Sequence, residues 1–290
     1  MSTRSCRFIA KSFVSAISRR ALPVYFGALA LVPLFGVQSS RALEDFKVYR
    51  GVLVLEGRIV KGDYDKLRNF LGNKTNFDKI SGGMFLASPG GSIIEAMKIG
   101  RLIRALRLST SAPSGPALGG RRFGESVITP GVLADAKSNY GCASACFFIY
   151  IAGVERHVGW AGRLGIHRPF ELESETRKLD VDQQTNRNWQ VRGLVQRYLK
   201  EMDVPEKYVD LMYSVPSNEV RWFTQSEVDA DFQGSILELK DWVGAKCNPK
   251  MTGAKATSAA GDGASEVAGC RMRAKSQLSN EAWTKVFPGR

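Results

Sequence analysis

Three short segments carry residue types that together could perform acyl transfer: Ser88-Pro-Gly-Gly-Ser92, Gly141-Cys-Ala-Ser-Ala-Cys146 and Gly165-Ile-His-Arg-Pro169. That chemistry needs a nucleophile, a base to take its proton, and amide donors aimed at the developing oxyanion. Ser144 lies between two alanines at the start of an apolar run. Small neighbours leave room for a substrate carbonyl, and a helix start there would supply N–H groups and a dipole that favours negative charge. The N–H of Ala145 is the natural first oxyanion donor, and Gly90-Gly91 is a second source, because a residue without Cβ lets backbone and substrate approach closely. His167 is the candidate base. Taken singly, each segment has a plainer explanation: a serine among alanines packs a helix, a Pro-Gly-Gly is a turn, and a histidine can be a satisfied core residue. His157 follows Val-Glu-Arg in a solvated turn and receives no role. Order and joint spacing are what point to chemistry.

The elements that must hold these segments alternate between strand and helix. Val52–Leu55 reads as a buried strand, and Asp63–Leu71 as a helix with Asp63 at its N-cap. Met84–Ala87 is wholly apolar, as expected for a strand covered on both faces. It ends at the Pro-Gly-Gly turn, and a helix follows from Ile93 to Leu106. Cys142–Gly153 is an apolar run of helical length, Leu164–His167 a short strand, Val181–Met202 an amphipathic helix and Pro205–Met212 another. Residues 112–140, rich in Gly and Pro and without a sustained period, read as an irregular insertion or lid. Strand, glycine turn, helix is the rhythm of an α/β fold with parallel strands.

At 290 residues and 44% hydrophobic, the chain can bury one sizeable core. Its formal charge of +13 would suit a polyanion, but six of the basic residues fall within 1–42, where there is no acid, leaving +7 on the rest. No Lys/Arg run with interleaved aromatics occurs later, so no nucleic-acid partner is expected. Residues 1–42 read as a signal peptide: a basic region ending at Arg19-Arg20, an apolar stretch from Ala21 to Val37, and Ser40-Arg41-Ala42 as a cleavage site. An uncleaved N-terminal membrane anchor is the rival, though Pro23 and Pro33 suit a permanent membrane helix poorly. Export to a periplasm is the expected localisation. Cys247 and Cys270 bracket a loose stretch and could form a disulfide in such a compartment. If the segment is helical, Cys142 and Cys146 share a face, but helix geometry does not favour a bond between them; a metal half-site is the other option, against which stand only two histidines and no Cys-x-x-Cys. Neither metal nor other cofactor is expected. Residues 247–290 read as a flexible Gly/Ala/Ser-rich tail, with a short terminal helix or a mobile end.

Ala-Ser-Pro-Gly-Gly-Ser before a helix, then Cys-Ala-Ser-Ala-Cys, then Arg-Leu-Gly-Ile-His-Arg-Pro resembles the Clp protease proteolytic subunit family, and especially its exported periplasmic relatives. The match covers Val52 to Phe232, and Ser144 to His167 is 23 residues, a spacing similar to that family's. The resemblance implies a crotonase-like spiral of β-β-α units with a C-terminal helical segment, over residues 43–246. It implies a serine peptidase or hydrolase with Ser144 as nucleophile, His167 as base, and Gly90, Gly91 and Ala145 around the oxyanion.

Two departures stand out. The family carries an aspartate about fifty residues after the histidine to orient the imidazole; here the matching stretch is Ser217–Phe223, with Val220 at that position and Asn218 and Glu219 as substitutes. Asp229 and Asp231 lie past it. The insertion at 112–140 is the second. The alternative reading is therefore a catalytically degenerate fold acting as a non-enzymatic binding protein, with crotonase-type acyl-thioester chemistry a more distant third. The expected substrate is a peptide or protein. A homo-oligomer is compatible with the resemblance, whereas no ATP-driven unfoldase is expected in a periplasm, which has no ATP supply.

Overall fold

The computed structural model describes residues 43, 46–81, 83–113, 141–159, 163–169, 180–247 and 262–290. Residues 1–42, expected to be a signal, and nearly all of residues 112–140, expected to be an insertion, lie outside the described residues. All described residues belong to one compact unit, Ser40–Arg290.

The architecture is mixed α/β. Strands β1 (Lys47–Tyr49), β2 (Val52–Glu56), β3 (Met84–Ala87), β4 (Thr110–Ala112), β6 (Glu155–Val158) and β9 (Gly234–Ser235) form one sheet in the order β1-β2-β3-β4-β6-β9. Its four inner strands are parallel, and both edges pair antiparallel. All four residues of β3 are buried, as its apolar sequence requires. A second sheet, ordered β5-β7-β8, joins Cys142–Ala143 (β5), Leu164–Ile166 (β7) and Arg221–Trp222 (β8). The two sheets meet just past β3, where Ser88 forms a parallel bridge with Cys142.

Helices α1 (Asp63–Gly72), α2 (Lys74–Phe77), α3 (Ile93–Ala105) and α4 (Ala145–Tyr150) follow in chain order. Ser92 caps α3 by accepting the Glu95 N–H, and Ala96, Ile99 and Ile103 bury its inner face. Every residue of α4 is buried. Helix α5 (Val181–Glu201) opens with a capping box of Asp180 and Gln183. Its Tyr198 donates a hydrogen bond to the Phe148 carbonyl at 2.7 Å, across the space left by Gly100, where a Cβ would stand 1.8 Å from the Tyr198 hydroxyl oxygen. Buried Arg156 donates to the carbonyls of Gly153 and Met202, and Arg104 to those of Ile151, Ala152 and Met202, closing helix ends that would otherwise bury bare carbonyls. Burial holds the Arg156 guanidinium down to about 10.

Two expectations are corrected here. The chain from Cys142 to Gly153 is not one helix: Cys142–Ala143 pairs with β7, Ser144 turns the chain, and only then does α4 begin. Nor is the described part of 247–290 a flexible tail. After α6 (Lys207–Ser214), α7 (Gln225–Glu227, continued as a π-helix Val228–Phe232) and α8 (Leu237–Cys247), residues Asp262–Val286 form a long helix, α9. Its small-residue start is followed by Trp283 and Phe287, which enter the core; Trp283 packs on Phe77 and donates to the Leu71 carbonyl at 2.8 Å. A Cys247–Cys270 disulfide ties α8 to α9. Two terminal aromatics and one covalent link anchor what composition alone would leave loose.

Candidate active site

Three strands of neighbouring register end side by side, and each is followed by one of the segments singled out by sequence: β3 by Gly90-Gly91, β5 by Ser144, β7 by His167. The carboxyl ends of parallel strands are where open α/β sheets place ligands.

Ser144 stands at φ 57°, ψ −123°, on the turn from β5 into α4. That backbone conformation is costly for a residue with a Cβ, by about 1–3 kcal/mol, and persists only where the surroundings impose it. They do so here. The Ser144 N–H donates to the Gly165 carbonyl at 3.0 Å, and its own carbonyl accepts from Phe147 N–H at 3.0 Å. On either side, Cys142 N–H donates to Arg163 O and Ala143 N–H to Ser88 O. A disulfide joins Cys142 to Cys146 across the turn, their Cα atoms 5.1 Å apart. The expectation that these cysteines do not bond is thereby corrected. It assumed one helix through both, whereas the left-handed turn at Ser144 folds the strand end back over the helix start. Neither cysteine is then a metal ligand, and among the described residues no cluster of His, Cys, Asp and Glu gathers to hold a metal.

The two glycines have separate duties. A Cβ on Gly90 (φ 103°) would lie 2.6 Å from the Ser144 Cβ and 3.0 Å from the Ala145 nitrogen. Gly90 is thus packed against the serine turn. Its N–H is engaged by Ser88 Oγ at 3.1 Å, which leaves Gly91 as the donor of the pair. Gly91 (φ 141°) bridges Ile59, and a Cβ there would fall 2.0 Å from the Ile59 carbonyl oxygen. The loop bearing Ile59 is held in turn by buried Glu95, which accepts from the N–H groups of Gly62 and Tyr64. Burial alone would raise the Glu95 carboxyl, but the Lys98 ammonium and those two N–H groups hold it below its ordinary value. Sequence reasoning passed over Glu95; a carboxylate three residues after Ser92, at a helix start, was the available signal.

His167 is buried, directly after β7. Its Nδ1 lies 2.8 Å from the carbonyl oxygen of Arg168. A carbonyl can only accept, so this contact puts the proton on Nδ1 and leaves Nε2 as the lone-pair nitrogen, the tautomer a general base requires. Arg168 N–H donates to the Val215 carbonyl at 3.1 Å, fixing the peptide that holds the ring. Asn218 and Glu219 both lie exposed in the following loop, and Glu219 N–H is bonded to Pro216 O. Val220 covers Gly165, its Cγ1 2.6 Å from where a Cβ on that glycine would sit. Asp231 is engaged by Lys207 and by the Tyr208 hydroxyl, and Asp229 by Gln225. His157 lies on β6 beside Glu155.

Ser144, Ala145 and Gly90 are therefore in direct apposition, with His167 two residues beyond the carbonyl that receives the Ser144 N–H. No family model matches the chain, and no curated protein matches it. Among solved structures it is similar to 1510-N, a membrane-bound stomatin-specific protease in a serine-to-alanine mutant form, at 12% identity and a TM-score of 0.39, over 67% of this chain and 84% of that one.

Proposed function

We propose that this protein is an exported serine peptidase or related hydrolase of Clp-protease-like type, with a crotonase-like spiral of β-β-α units, acting through an acyl-enzyme on Ser144. The observation that carries the reading is the Ser144 backbone, held at positive φ on a strand-to-helix turn with Gly90 packed beneath it. Backbone strain at a serine between small residues is the signature of a nucleophile forced out of the helix and into a cleft.

In this reading His167 Nε2 removes the Ser144 hydroxyl proton as Oγ attacks a substrate carbonyl. The N–H groups of Ala145 and Gly91 meet the oxyanion, and His167 returns the proton to the leaving amine. Water then attacks the ester with His167 again as base. The Arg168 carbonyl accepts the hydrogen bond from Nδ1–H and so orients the ring for this transfer. The substrate is a peptide or protein chain met in the periplasm without an unfoldase, and segment 1–42 is the export signal or anchor. An activated ester tests the reading: native protein should give a stoichiometric burst and an acyl adduct in its intact mass, and Ser144→Ala neither.

A second reading, a fold kept for binding without turnover, is favoured by the exposure of Asn218 and Glu219, since an orienting acid is ordinarily buried. It predicts a folded native protein that gives no adduct.

A further inference from the structure

A disulfide closing only five residues, Cys142 to Cys146, adds less to global stability than one that closes a longer loop. The chain entropy removed from an unfolded state grows with loop length, so the Cys247–Cys270 link, 23 residues apart, has the larger share of that effect. What the short link does constrain is the backbone between its ends, Ala143-Ser144-Ala145. Both cysteines are fully buried, on either side of the one residue of that loop with positive φ.

We propose that the Cys142–Cys146 disulfide is a positioning device for Ser144, which makes the reactivity of that serine conditional on an oxidised chain. The inference rests on Ser144 being the nucleophile. With the bond intact, strand end and helix start are clamped together, and the serine is held in its left-handed turn. With the bond cut, the remaining restraints are backbone hydrogen bonds and the packing of Gly90 beneath the turn, and Ser144 relaxes toward negative φ, taking Oγ out of the position that the turn sets. Displacement of a reacting atom by about 1 Å costs ~10²-fold. A reduced chain would accordingly be folded but slow to react, and oxidation after export would arm it.

Reduction by dithiothreitol is the means of switching. One of its thiolates attacks a sulfur of the disulfide and expels the other cysteine as a thiolate; its second thiolate then attacks the first dithiothreitol sulfur, closing a cyclic disulfide and expelling the remaining cysteine, so that two electrons and two protons end on Cys142 and Cys146 as thiols. Since both sulfurs are buried, the reductant reaches them only through local opening.

The experiment compares native protein, its dithiothreitol-reduced form, Cys142→Ala/Cys146→Ala and, as control, Cys247→Ala/Cys270→Ala. Two readouts are taken: the fluorophosphonate labelling rate of Ser144, split into binding and inactivation constants, and hydrogen exchange of the peptide spanning 141–148. In the reduced form and in Cys142→Ala/Cys146→Ala the expected results are an inactivation constant lower by about tenfold or more with the binding constant unchanged, and exchange at 141–148 faster by a similar factor. Reoxidation should restore both, and the control should match native protein. Labelling within twofold of native in a folded, unlinked protein would overturn the proposal, as would unchanged exchange. Global unfolding of both unlinked forms would also overturn it, by making the bond structural. If native protein is never labelled, the peptidase reading fails on its own, while the exchange result still decides whether the bond holds the turn.

Discussion

A Cβ on Gly90 would stand 2.6 Å from the Cβ of Ser144, so the turn after β3 and the turn after β5 are a single packed unit. Gly90→Ala forces these turns apart and places alanine at φ 103°. We expect a loss of about 1–3 kcal/mol in urea unfolding and of Ser144 labelling by ~10²-fold. Labelling at the native rate would show that the apposition is irrelevant to reactivity.

His167 Nδ1 is held by the Arg168 carbonyl, whereas Asn218 and Glu219 lie exposed in the loop after α6. Asn218→Ala and Glu219→Ala should each label within about threefold of native; a loss near ~10⁴ would identify a carboxylate or amide as a true third member. His167→Ala, by contrast, should slow labelling by ~10²–10⁴.

The C-terminal helix is part of the core through Trp283, which is 4% exposed and bonded to the Leu71 carbonyl. Trp283→Ala should lower unfolding stability by about 3–5 kcal/mol, as for other buried aromatics. A change below about 1 kcal/mol would mean that α9 is not docked in solution.

Much of the frame was legible in sequence because burial there follows chain periodicity. The apolar run Met84–Ala87 is β3, and the helical spacing after Ser92 is α3. The turn at Ser144 was not legible, since a run from Cys142 to Tyr150 that is apolar on either side of Ser144 looks alike as strand or helix; what breaks it is tertiary, the pairing of Cys142 and Ala143 with β7. The Cys142–Cys146 bond was missed for the same reason. Helix α9 was hidden by a composition poor in large apolar residues, and its docking depends on Trp283 and Phe287 near its end. At the candidate site, sequence named Gly90 and Gly91 together. Only the geometry separates a glycine packed on the serine from one paired with Ile59.

Acid should loosen α9. Glu155 on β6 is bonded to His157 and Lys275, and those partners hold its carboxyl down to about 2 from an ordinary 4.5. A depressed folded-state value means that the stabilisation is complete above the unfolded value and is lost as pH falls from about 4.5 through about 2. Glu155→Gln should therefore flatten the stability profile across that window, followed by Trp283 fluorescence. An unchanged acid limb would show that the Lys275 pair does not contribute.

The central claim is that Ser144 is an activated nucleophile, and the most direct measurement is peptide mapping of the oxidised protein after reaction with a fluorophosphonate. The account predicts one adduct per chain, on Ser144, absent from Ser144→Ala and strongly slowed in His167→Ala. A folded protein that stays unmodified, or one modified elsewhere and equally in Ser144→Ala, would contradict it.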